Sequence, residues 1–197
     1  MGDSLTFGFG VSRSQCWTRL LEQSLGIPVV NCGVNGDTTG GMLARLHRDV
    51  LGKQTNVYSE LHTIVLVMGG SNDIFYSGSD EAARANFGAL VHQLVASGVG
   101  VAAGIPLPVV TDQVQEQWKR AVDFTHSQVV LKRYQVWLRS FCDAFSVPYV
   151  SFDQDFLDEN GRPIPRLFLD GMHPTPEGHQ KMAKRCAAWF RQRIEME

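Results

Sequence analysis

Five residues spread over the chain have the types needed for acyl transfer. Ser4 stands in Gly2-Asp3-Ser4-Leu5, and a serine hydroxyl becomes an effective nucleophile when a base within hydrogen-bond reach takes its proton. His173 is the natural base among six histidines. Asp170, three residues before it, has the spacing to hold the other imidazole nitrogen and to stabilise the imidazolium. A tetrahedral intermediate needs donors aimed at its oxyanion, and the Ser4 N–H, the Gly36 N–H and the Asn72 side-chain amide can supply three. One such donor is worth about 3 to 4 kcal/mol of transition-state stabilisation. Glycine at 36 leaves no side chain to obstruct the substrate. The other histidines (His47, His62, His92, His126 and His179) fall on predicted helices or loop edges and carry no assignment, although His179 lies only six residues beyond His173.

The elements that must position these residues alternate between strand and helix signals, the pattern of an α/β domain on a parallel sheet. Ser14 is placed to cap a helix ending at Leu25, with Trp17, Leu20, Leu21 and Leu25 on one face and Gly26-Ile27-Pro28 stopping it. A short strand follows at 29–31. Asp37 or Thr38 starts a second helix carrying Leu43, Leu46 and Val50, and residues 64–68 form an apolar run suited to a strand buried on both faces. Ser79-Asp80-Glu81 opens a helix in which Phe87, Leu90, Val91, Leu94 and Val95 share a face. A strand at 99–105 stops at Pro106. The segment 111–145 reads as mostly helical, with Val130, Tyr134, Trp137, Leu138, Phe141 and Phe145 facing inward and a break near 125–127. A last strand covers 149–152, and Thr175-Pro176-Glu177 supplies the cap, first-turn proline and first-turn acid of a terminal helix. Ligands of an open parallel sheet bind beyond the carboxyl ends of its strands. Ser4, Gly36, Asn72 and the Asp170–His173 pair all fall at such positions.

Composition narrows the function classes. At 197 residues, with no linker-like stretch, the chain reads as one domain over 1–197. A net charge of −2 offers no electrostatic footprint for nucleic acid or for an anionic membrane surface. No apolar run is long enough for a transmembrane helix. Cys16, Cys32, Cys142 and Cys186 show neither zinc-ligand nor redox-pair spacing and read as small buried residues of a reducing compartment. No cofactor or metal is expected.

Gly2-Asp3-Ser4-Leu5, Gly36 in its Asn-x-Gly-x-x-Gly-Asp setting, Gly70-Ser71-Asn72-Asp73 and Asp170-Gly171-Met172-His173-Pro174 resemble, in order, the four sequence blocks of the SGNH (GDSL) hydrolase superfamily. The likeness runs from residue 2 to near residue 190 and is greatest to the bacterial thioesterase, lysophospholipase and arylesterase branch. It implies a flavodoxin-like three-layer α/β/α sandwich with a five-stranded parallel sheet in the order 2-1-3-4-5. It further implies a cofactor-free serine hydrolase acting on a small-molecule ester or thioester. By that resemblance Ser4 is nucleophile and oxyanion donor, Gly36 and Asn72 are oxyanion donors, His173 is the base and Asp170 orients it. Phe75, Pro106 and Leu107 fall beside these turns as candidate acyl-binding residues. The rivals are a carbohydrate O-acetylesterase and a non-catalytic ligand-binding module on the same fold.

Members of that superfamily begin with a strand directly ahead of the Gly-Asp-Ser turn, whereas Met1 alone precedes it here. The absent strand would be central, and its loss would leave backbone groups unpaired on both neighbours. The natural chain is therefore expected to start upstream of Met1, or a tag or neighbouring molecule to fill the slot. As written, without a basic-then-apolar leader, the chain reads as cytoplasmic, an expectation that depends on the same missing piece.

Overall fold

Short capped helices and parallel strands follow one another in the computed structural model, which describes residues 1–53 and 63–194. His62 lies outside the described residues. The first helix, α1 (Ser4–Phe7), is a single turn: the Asp3 carboxylate caps it by accepting the Leu5 N–H at 2.9 Å, and Gly8 ends it in the left-handed conformation. Ser14 falls in a 3-10 turn, Arg13–Gln15, so that α2 (Trp17–Leu25) begins later than its cap residue predicted. Thr38 caps α3 (Thr39–Asp49) through the Gly41 N–H, as expected from the Asp-Thr pair.

The apolar run becomes β1 (Ile64–Val67), followed at once by α4 (Ser71–Ser77), a helix that the Gly-Gly-Ser-Asn-Asp turn signal concealed. Then come α5 (Glu81–Ala96), β2 (Gly100–Ile105) and a four-residue helix, α6 (Glu116–Lys119). In α7 (Phe124–Ala144) the expected break moves upstream, because the Asp123 carboxylate caps the helix by accepting the His126 N–H at 3.0 Å. Phe145, predicted to face inward, is exposed just past the end of α7, with its ring 4.7 Å from that of Phe141 between centres. The chain closes with β3 (Tyr149–Ser151) and α8 (Pro176–Ile194).

The three strands form a parallel sheet in the order β1-β2-β3, with Val65 beside Val101 and Ala103 beside Tyr149. The five-stranded sheet expected from the resemblance is narrower here. Gly2 makes one parallel bridge to Gly33 and another to Met68, and no further strand forms at 29–31. A strand ladder needs several consecutive residues on both partners, and of the three residues ahead of α1 only Gly2 bridges, once on each side. Beyond that pair an apolar groove of about 420 Å³ runs between Val29 and Val30 on one wall and Ile64 to Leu66 on the other. This open edge is why Ile64 is 44% exposed although Val67 in the same strand is fully buried.

Alternation along the strands divides the interior in two. Val65, Val67, Val101, Ala103 and Ile105 join α3, α5 and α7 in one core, centred on Phe87, Leu90, Tyr134 and Leu138. Leu66, Met68, Val150 and Phe152 face the other way, onto Trp17 and Leu21 of α2 and Met182 and Cys186 of α8. The sheet thus carries a helical layer on each face, which leaves its carboxyl edge to the loops that hold the polar residues.

Candidate active site

At that edge Ser4, from the first turn of the chain, meets His173, from a loop 169 residues later. The Ser4 Oγ lies 2.9 Å from His173 Nε2, and His173 Nδ1 lies 2.8 Å from Asp170 Oδ2. Local structure makes this line. Asp170 Oδ1 accepts the Met172 N–H at 3.0 Å and the His173 N–H at 2.9 Å, and Gly171 supplies the left-handed bend between them. The loop therefore folds back on its own carboxylate and holds the imidazole over it. Burial alone would push the Asp170 carboxyl up, but the hydrogen bond and charge of His173, with the two backbone N–H bonds, hold it below the ordinary carboxylate value. An ionised Asp170 keeps the proton on Nδ1 and leaves Nε2 free to accept from Ser4. Phe9 covers the imidazole from the outside, with its ring centre 4.5 Å from that of His173.

The predicted oxyanion donors border the same cavity. Gly36 has φ +72°, a conformation that favours glycine, and its N–H makes no hydrogen bond among the described residues. The Ser4 N–H is likewise unengaged at the start of α1. Asn72, on α4, donates one side-chain N–H to the Asp37 carbonyl at 2.8 Å and keeps the other. Asp73 braces the arrangement: its carboxylate accepts the Thr39 N–H at 2.9 Å and the Thr39 hydroxyl at 2.6 Å, so α4 and the start of α3 are tied together behind Gly36. Gly70 has a backbone reason of its own. At φ +112° it turns β1 into α4, and a Cβ there would lie 2.5 Å from the Tyr134 ring.

Asp3, next to Ser4, is buried, and burial pushes its carboxyl up to about 7 against the stabilising Leu5 N–H bond. Arg45 of α3, which the sequence reading did not single out, reaches under the turn. It donates to the Gly2 carbonyl at 2.9 Å, to Asp37 at 2.8 Å and to Asp49 at 2.7 Å, and so fixes the turn before Ser4 and the segment after Gly36 with one guanidinium. Its helical spacing marks a partner for Asp49 (i, i+4), but nothing local marks Gly2.

A cavity of about 320 Å³ opens from Ser4 and His173 and is lined mainly by apolar side chains. Phe75 and Leu107 line it as expected. Pro106 does not: it is buried behind the wall, where its carbonyl accepts from Gln135 at 2.8 Å, and Pro108 takes its place. Trp118 of α6, Val122 between α6 and α7, and Phe124 at the start of α7 complete the lining. Among the described residues no group of three or more His, Cys, Asp or Glu side chains is placed to hold a metal ion.

Comparison with known proteins bears on this arrangement. Residues 1–181 match the family model described as GDSL-like lipase/acylhydrolase. Esterase TesA of Pseudomonas aeruginosa is 30% identical over 114 residues, which are 55% of this chain and 53% of that protein, so the match spans about half the length of this curated relative. The native aryl esterase of M. smegmatis superposes with a TM-score of 0.78 at 18% identity, covering 98% of this chain and 96% of that one. A carbohydrate acetylesterase family member from Sinorhizobium meliloti does so with a TM-score of 0.74 at 18% identity, over 98% and 95%. At such identities the two structures share the fold with this chain.

Proposed function

The chain belongs to the GDSL-like lipase/acylhydrolase family, and from that premise we propose that it hydrolyses carboxylic esters or thioesters through an acyl-enzyme formed on Ser4. The observation that carries the proposal is the unbroken hydrogen-bond line from Ser4 through His173 to Asp170. In the first half-reaction His173 Nε2 takes the Ser4 proton as Oγ attacks the acyl carbon. Negative charge then develops on the acyl oxygen, opposite the Ser4 N–H, the Gly36 N–H and the free N–H of Asn72. When the intermediate collapses, His173 returns the proton to the leaving alkoxide or thiolate. In the second half-reaction the same base activates water, which releases the acid and restores the serine.

The substrates proposed are short-chain acyl esters or lysophospholipids. Phe75, Leu107, Val122 and Phe124, which line the cavity that opens from Ser4, favour an acyl chain over a sugar. Hydrolysis of p-nitrophenyl acetate, butyrate and decanoate by the wild type and by Ser4→Ala tests both halves of the proposal. We expect turnover on at least one ester, and a loss of about 10⁴-fold or more in the variant. A folded wild type inert on all three esters would overturn the ester reading and favour a binding module. Activity that survives Ser4→Ala would overturn the nucleophile. A profile confined to acetate would move the reading to a deacetylase.

A further inference from the structure

Ser4 and His173 sit on segments with no short covalent path between them, so something must hold α1 against the loop before α8. The start of α2 holds α1. Trp17 Nε1 donates to the Leu5 carbonyl at 2.9 Å, and Cys16 Sγ lies 3.6 Å from the Thr6 carbonyl and 3.7 Å from that of Phe7. The first turn of α8 holds the other segment. Thr175 donates its N–H to Leu167 at 2.8 Å, and its carbonyl accepts the His179 N–H at 2.9 Å. One side chain joins these two anchors: His179, fully buried, accepts the Trp17 N–H on Nδ1 at 3.3 Å across 162 residues of sequence.

This bond meets a need. Trp17 is the first residue of α2, whose backbone N–H has no partner within its own helix, and the residue before it, Cys16, offers no side-chain cap. We propose that His179 is a positioning residue: as acceptor for the Trp17 N–H, it sets the distance at which α1 presents Ser4 to His173. It touches neither the reacting atoms nor the substrate cavity, whose lining excludes it. The bond requires an unprotonated Nδ1, and so the neutral tautomer with hydrogen on Nε2. Burial, with a smaller push from the charge of His173, lowers His179 to about 4, which keeps the ring neutral at working pH. Its Nε2 is buried without a hydrogen-bond partner, so the ring is held by the Nδ1 bond and by packing.

The inference rests on the reading of Ser4 and His173 as the reacting pair, and its test separates the two. A fluorophosphonate probe labels an activated serine, and its rate on Ser4 reports the Ser4–His173 alignment directly. An unlabelled wild type would overturn the functional reading itself. If the wild type is labelled, His179→Leu, which leaves the Trp17 N–H unpaired, is expected to slow labelling by about tenfold to a hundredfold. The ester kcat should fall in parallel, with KM little changed. His179→Asn, whose Oδ1 can replace Nδ1 as acceptor, should restore most of the rate. Wild-type labelling in a folded His179→Leu, or an Asn variant as slow as the Leu variant, would overturn the role. Should the Leu variant fail to fold, nitrogen NMR of the wild-type ring decides instead. A proton on Nε2 supports the acceptor role and a proton on Nδ1 refutes it.

Discussion

The Asn72 amide carries two hydrogens, and the fold consumes one of them. Its bond to the Asp37 carbonyl fixes the amide, and Asn72 lines the cavity shared with Ser4 and Gly36. In the oxyanion role proposed for Asn72, a donor fixed in advance costs no reorganisation when charge develops on the substrate, so one hydrogen bond would matter more here than in water. The Asn72→Ala variant is therefore expected to lose about 10²- to 10³-fold in kcat with KM nearly unchanged. A steady-state comparison on one p-nitrophenyl ester checks this. An effect confined to KM would assign Asn72 to substrate binding and remove it from the oxyanion site. The Asp37 carbonyl loses its partner in the same variant, so a thermal melt alongside the kinetics separates lost stability from lost catalysis.

Between elements, Arg45 does what no single helix or strand could. It is 8% exposed, and it neutralises Asp37 and Asp49 while holding the Gly2 carbonyl, so α3, the turn before Ser4 and the segment after Gly36 share one buried cation. Removing Arg45 strands Asp37 and the Gly2 carbonyl, while Asp49 keeps its pair with Arg48, at a cost of about 3 to 5 kcal/mol. Arg45→Met should lower the unfolding free energy by that amount in urea titrations, and a loss below about 1 kcal/mol would show the group to be solvated and marginal. The same contrast explains what was legible in the sequence. The grouping of Ser4, Asp170 and His173 could be read because acyl-transfer chemistry dictates residue type and local spacing, and α5 and α8 because several turns of apolar repeat declare a helix. The helices α1, α4 and α6 are too short to display a period, and Pro106 and Pro108 differ only by which side of the chain meets the cavity. Arg45 and His179 stayed unread because their decisive partners, Gly2 and Trp17, lie far away in sequence.

Across the whole molecule, two buried groups beside the site give stability opposite dependences on pH. Asp3 is raised from 3.8 to about 7, chiefly by burial. Between those values the native state keeps a proton that the unfolded chain has released, so this contribution is complete at low pH and is lost as pH rises towards 7. His179 is lowered from 6.5 to about 4, again chiefly by burial. In that window the unfolded chain binds a proton that the native state refuses, so its contribution is complete above 6.5 and is lost as pH falls towards 4. Each group can move stability by up to about 1.4 kcal/mol per pH unit inside its window, and from about 4 to 6.5 the two slopes oppose each other. Substitution should therefore expose the partner. Relative to the wild type, Asp3→Asn should gain stability as pH rises from 4.5 to 6.5, since the His179 slope is then unopposed. His179→Asn should lose stability over the same interval, since only the Asp3 slope remains. Carboxylates such as Asp80 and Asp170, held below their ordinary values, are common to all three proteins and cancel in the differences. Urea midpoints of the three proteins at pH 4.5, 5.5 and 6.5 measure the effect. Parallel profiles would mean that neither group keeps its shifted proton affinity, and that water reaches both Asp3 and His179.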